Sequence, residues 1–151
     1  MGKVELVSFD KCFFEKSRAW LEDEEVNRLT DTGKLPAEPD RLKWFESLPS
    51  KKDYLIWGVA FEEEPIGACG LKNMQGSKAE YWGYIGEKSY WGKGLGTSML
   101  KSVEQKAKAL NLDELYLTVL MENDRAIRLY INNGYEDRGS IGCYLIMAKQ
   151  I

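Results

Sequence analysis

The apolar positions of the chain change period several times, and each change predicts an element. Residues 3–9 (KVELVSF) come close to alternating polar and apolar side chains, which predicts a first strand. Asp10 stands where a helix N-cap would, with Phe13, Phe14, Ser17, Trp20 and Leu21 along one side of the helix that follows. That helix runs into the acidic stretch Glu22, Asp23, Glu24 and Glu25. Residues 30–40 hold one glycine and two prolines and read as a loop. A short helix from Pro39 to about Leu48 ends near Pro49.

Three strands follow without a helix between them: 53–61, 66–74 and 79–86, joined by turns at 62–65 and 75–78. Beyond a glycine-rich stretch, Leu95, Met99, Val103 and Ala107 recur at helical spacing, with Leu100 and Leu110 beside them. Residues 112–121 read as a buried strand. Asn123 to Asn133 reads as a helix, with Gly134 where a left-handed C-cap belongs. Residues 135–149 supply two closing strands around a Gly-Ser turn. The order is β-α-α-β-β-β-α-β-α-β-β. It predicts an α+β fold with a mixed sheet of about seven strands, mostly antiparallel, in which the β-α-β passage from 79 to 121 contributes one parallel pair. With 151 residues, no repeat and no linker, residues 1–151 read as a single domain.

Composition narrows the chemistry. A net charge of -3 speaks against a nucleic-acid partner, which calls for a basic excess. No apolar run reaches membrane-spanning length and the start lacks a signal-peptide core, so neither a membrane partner nor secretion is expected. Cys12, Cys69 and Cys143 are odd in number and widely spaced, as free thiols in a reducing compartment would be; a cytoplasmic location is expected. The absence of histidine removes His-based catalysis and the commonest metal ligand, so no metal is expected. Carboxylates, tyrosines, lysines, main-chain amides or a cofactor must do the work.

The stretch YWGKGLGTSML, residues 90–100, places glycines at 92, 94 and 96 directly before the helix of Leu95 and Met99. A strand, a glycine-rich turn and a helix aim unpaired N–H groups at an anion, and the helix dipole assists. Gly92, Lys93, Gly94, Leu95, Gly96 and Thr97 can therefore cradle a phosphate or diphosphate through main-chain atoms. A tight turn with glycines chosen only for φ explains the same residues. Two other phosphate motifs do not fit. Gly86-Glu87-Lys88-Ser89 lacks the P-loop's Gly-Lys pair, and G-x-G-x-G is not the dinucleotide fingerprint.

The turn resembles the acyl-CoA signature of the GNAT family of N-acetyltransferases, Q/R-x-x-G-x-G/A, with Gly94-Leu95-Gly96 as its core. Trp91 stands where the family has Gln or Arg; this form is similar to the branch of ribosomal-protein N-terminal and amino-sugar acetyltransferases. A second family motif, N-x-x-A-x-x-x-Y-x-x-x-G-F/Y, is matched by Asn123, Ala126, Tyr130, Gly134 and Tyr135. The resemblance covers essentially the whole chain. It implies helices on both faces of the sheet and acetyl-CoA lying where the parallel strands splay. Tyr84, Ile85 and Gly86 would bond the pantetheine arm and thioester carbonyl through main chain, with the Ile85 amide as oxyanion donor. The 92–97 turn would take the diphosphate.

In that setting Tyr130 suits protonation of the leaving thiolate, since a phenol stays protonated at neutral pH. Asn123, two turns before it on one face, would cap the helix, touch the cofactor, or both. Glu80 is the candidate base, acting through a water, although positioning alone can also suffice. The implied reaction is acetyl transfer by direct attack of a primary amine, with an amino sugar or polyamine favoured over a protein N-terminus. A homodimer is left open, and the competing reading is a CoA-binding module without turnover.

Overall fold

A meander of three antiparallel strands carries the centre of the sheet in the computed structural model, which describes residues 2–151. Strand β1 (Glu5–Ser8) pairs with β2 (Leu55–Phe61), β2 with β3 (Glu64–Gln75), and β3 with β4 (Lys78–Ile85), all antiparallel. Strand β5 (Glu114–Leu120) lies parallel to β4, and β7 (Tyr144–Gln150) joins β5 to the edge strand β6 (Glu136–Ile141). The seven strands run β1-β2-β3-β4-β5-β7-β6, the mixed sheet that the element order predicts.

Helices cover both faces. On one face, α4 (Leu95–Ala109) lays Leu95, Met99, Leu100, Val103 and Ala107 over Leu71, Tyr81, Leu115, Leu117 and Met147, all buried. Each fully buried leucine contributes roughly 1.5–3 kcal/mol. On the other face, α1 (Lys11–Glu22) sets Phe13 against Gly58 and Trp20 against Gly86; a Cβ at these glycines would lie 2.6 Å and 2.3 Å from the rings. Asp10 caps α1 as expected, accepting from the Phe13 N–H.

Three details differ from the sequence reading. The acidic stretch starts a further helix, α2 (Glu24–Thr30), because Asp23 is itself an N-cap, accepting from the N–H groups of Glu25 and Val26. The expected short helix is α3 (Glu38–Ser47), with Pro39 in its first turn. The β2–β3 turn is only Glu62-Glu63, both at positive φ, so Pro65 lies within β3. The last hairpin turns at Gly142-Cys143, three residues beyond the expected Gly-Ser; Gly139 instead sits in an irregularity of β6.

The parallel pair is short. β4 and β5 are in register only at Lys78/Glu114, Ala79/Leu115 and Glu80/Tyr116. Beyond that point β4 stays with β3 and β5 stays with β7, so a fork opens between them. From Glu80 to Ile85 its β4 edge is about 16 Å long at the usual rise of a strand.

Candidate active site

The glycine turn lies at the mouth of this fork, between β4 and α4. Gly92 and Gly94 have φ of 77° and 78°, and Gly94 is the N-cap of α4 with no side chain capping it. A Cβ at either position would meet nothing within 4 Å, so their bare sides face open space. The main-chain N–H groups of residues 92–97 donate to no protein acceptor among the described residues; the first bonded amide is Ser98, donating to the Gly94 carbonyl. Both readings of the glycines therefore hold at 92 and 94: φ demands them, and the amides stay open. Gly96 has a different reason, since its Cβ would come 2.8 Å from Cδ1 of Leu129. Leu95 offers only its amide, because its side chain is buried. Lys93 lies over the Tyr90 ring, and Arg125 lies over the Trp91 ring at 5.4 Å, so two cations flank the turn.

The fork's β4 edge is selective about which groups it offers. The Gly86 N–H donates to the Ile66 carbonyl at 2.7 Å, on the β3 side. By the two-residue alternation of an antiparallel ladder, Tyr84 faces β3 as well, while Tyr81, Gly83 and Ile85 turn their main-chain groups into the fork. Of the three residues expected to bond a cofactor through main chain, only Ile85 has its N–H directed into the fork; the Gly86 and Tyr84 amides turn toward β3. The Ile85 carbonyl accepts from Trp91 Nε1 at 2.8 Å. Trp91, the departure from the signature, therefore ties the turn to the end of β4, a contact that the sequence gives no means of foreseeing.

Two candidate chemical groups flank the closed end of the fork from opposite faces. Glu80 is the last β4 residue paired with β5, and Tyr81 is the first unpaired one. Successive strand residues point to opposite faces. On the α4 face, the half-buried Tyr130 of α5 (Asp124–Asn132) meets Tyr81 edge-on, with centroids 6.3 Å apart, and leans on Tyr135 at 5.9 Å. Among the described residues no protein group hydrogen-bonds its hydroxyl. Burial pushes its pKa up to about 12, so it is a proton donor at neutral pH. On the other face, Glu80 is buried, with Asn73 Nδ2 donating to Oε1 at 2.8 Å and Thr118 Oγ1 reaching Oε2 at 3.5 Å. The Tyr116 phenol nearby is raised by burial first and by the Glu80 charge second. Asn123 caps α5, its side-chain oxygen accepting from the Ala126 N–H at 3.3 Å.

Between α2 and the end of β5, a cavity of about 420 Å³ is lined by residues including Asn27, Asp31, Leu120, Met121 and Cys143. The acidic stretch is largely engaged: Lys88 Nζ lies 2.9 Å from Asp23 and 3.5 Å from Glu25, and the Lys88 hydrogen bond is the main cause holding the Asp23 carboxyl below its usual range. Of the tryptophans, Trp20 is buried and donates to Glu87, and Trp82 stacks on Tyr54. Among the described residues no cluster of Cys, Asp and Glu has metal-site geometry, and no helix is long and apolar enough to cross a membrane.

A forked mixed sheet with an open amide turn at its mouth defines the acyltransferase class of α+β fold. The chain belongs to the acetyltransferase (GNAT) family, whose profile matches residues 14–135. It is similar to an N-acetyltransferase 9-like protein of Caenorhabditis briggsae, at 32% identity over 81 residues. That match covers 52% of this chain and 40% of the relative, so the chain spans well under half of that relative's length. Among solved structures it resembles a spermidine N-acetyltransferase of Vibrio cholerae bound to CoA and spermine (TM-score 0.89, 15% identity, 98% of this chain and 95% of that one). It also resembles the N-acetyltransferase PseH of Campylobacter jejuni bound to acetyl coenzyme A (TM-score 0.77, 16% identity, 97% and 98%).

Proposed function

We propose that the chain transfers acetyl from acetyl-CoA to a primary amine by direct attack. The observation that carries this reading is the run of open amides at 92–97, at the mouth of a fork whose closed end is flanked by Glu80 and Tyr130. The diphosphate lies on the turn, with Lys93 and Arg125 adding positive charge beside it. The pantetheine arm follows the fork inward. The Ile85 N–H faces it and donates to the arm near the mouth.

The amine must arrive neutral, and Glu80 takes a proton from it, directly or through a water. The nitrogen bonds to the thioester carbon, the carbon–sulfur bond breaks, and Tyr130 protonates the departing thiolate. A dedicated donor beside the closed end favours turnover over a module that only binds CoA. A small amine is favoured over a protein N-terminus. The polyamine held by the solved relative is in keeping with that preference. Because Asp23 and Glu25 already face Lys88, the acidic stretch adds little to it.

Incubating the protein with acetyl-CoA and pooled amines, and reading free thiol, tests the assignment. The pool holds spermidine, glucosamine and N-terminal peptides. Amine-dependent thiol release is expected, strongest in the small-amine fraction. Tight acetyl-CoA binding with no release from any fraction contradicts catalysis.

A further inference from the structure

We propose that Asn73 is a positioning residue for Glu80, presented by a bulge in β3 that exists at the cost of an unfavourable backbone conformation. This inference rests on the reading of Glu80 as the base.

The register shows the bulge directly. Lys72 lies opposite Glu80 and Gln75 opposite Lys78, so β3 spends three steps where β4 spends two. The extra residue falls at Asn73-Met74. Asn73 has φ of 50°, in the left-handed region that side chains other than Asn, Asp and Gly rarely enter. In a regular strand residue 73 would point to the face opposite Lys72 and Glu80. The bulge turns it back, and bulges commonly re-aim a side chain in this way. Its Nδ2 then donates to Glu80 Oε1 at 2.8 Å.

That bond is the short one at this carboxylate. Thr118 reaches Oε2 at 3.5 Å, well beyond the 2.5–3.0 Å range typical of an O–H···O bond. One oxygen is therefore held and the other is loosely contacted, which suits a carboxylate that must receive a proton at Oε2. Glycine would satisfy the backbone at position 73 more readily than asparagine does. Asparagine there also supplies a donor, and the donor is in use.

The substitution Asn73→Gly separates the two roles. It keeps the left-handed conformation, so the fold should hold with a modest fall in melting temperature, and it deletes only the amide. Crystal structures of the wild type and of Asn73→Gly form the first arm. The Glu80 carboxylate is expected to leave its wild-type rotamer while the bulge persists. The second arm is kinetic, with acetyl-CoA and the pooled amines. Asn73→Gly should lower kcat by about 10- to 100-fold, the range that a small misplacement of a reacting group can cause. KM for acetyl-CoA should change less than twofold. In a Glu80→Gln background the Asn73→Gly change should add nothing.

Wild-type turnover by Glu80→Gln overturns the base reading, and the inference falls with it; so does a pool that yields no turnover. Glu80 unmoved in the Asn73→Gly crystal overturns the inference alone. So does Asn73→Gly at the wild-type rate while Glu80→Gln is slow.

Discussion

Tyr81 presents its ring to Tyr130 edge-on, with centroids 6.3 Å apart and planes at 79°. One residue belongs to the strand where the fork begins and the other to the helix beyond it, so the contact fixes the phenol of Tyr130 relative to the closed end. Tyr135 holds the ring's other side, and Tyr135 is anchored in turn by donating to Glu104 at 2.8 Å. The acid proposed for the thiolate thus sits in a rigid aromatic wall.

Tyr130→Phe keeps that wall and removes the proton. It should lower kcat about 10²–10⁴-fold with little change in KM for acetyl-CoA, the span usual for general acid–base help. Steady-state thiol release measures it. A loss under threefold means that Tyr130 only packs.

Glu104 is buried on α4 and depends on Lys149, whose Nζ lies 3.1 Å from Oε2. Lys149→Met leaves that carboxylate with Tyr135 alone. Stranding a buried charge costs roughly 3–5 kcal/mol, and partial exposure of Lys149 puts this case near the lower end. Urea unfolding should report a loss of about 3 kcal/mol, partly recovered when Glu104→Gln is added. An unchanged midpoint contradicts the pairing.

Much of this was legible in the sequence, and the exceptions share a cause. The Asp10 cap, the helical repeat from Leu95 to Ala107 and the Gly92 and Gly94 turn are local patterns, and the structure carries them as read. Helix α2 was hidden because Val26 is its one buried residue, which leaves no periodicity to detect. Gly96 answers to Leu129, Trp91 to Ile85 and Glu104 to Lys149, and no spacing rule reports contacts set by tertiary packing. The direction of the Tyr84, Ile85 and Gly86 amides depends on strand register, which only the β3–β4 pairing reveals.

Tyrosine ionisation should also set the alkaline limit of the fold. Burial pushes Tyr54 and Tyr130 up to about 12 and raises Tyr81, Tyr84 and Tyr135 further. The unfolded chain releases these protons near pH ~10, so between that point and the folded values the unfolded state binds fewer protons. Stability is full below pH ~10 and falls as pH rises toward 12. Tyrosinate absorbance should lag that of free tyrosine and then rise together with loss of the near-ultraviolet circular dichroism. Smooth titration near pH ~10 with the fold intact contradicts the burial.

In the proposed function the bare amides of residues 92–97 grip the diphosphate of acetyl-CoA at the mouth of the fork. Amide ¹⁵N–¹H spectra recorded during an acetyl-CoA titration report on this contact residue by residue. Saturable shifts are expected at Gly92 through Thr97 and at Ile85, with Gly94→Val abolishing them. Saturable binding that leaves those seven amides unmoved would contradict it.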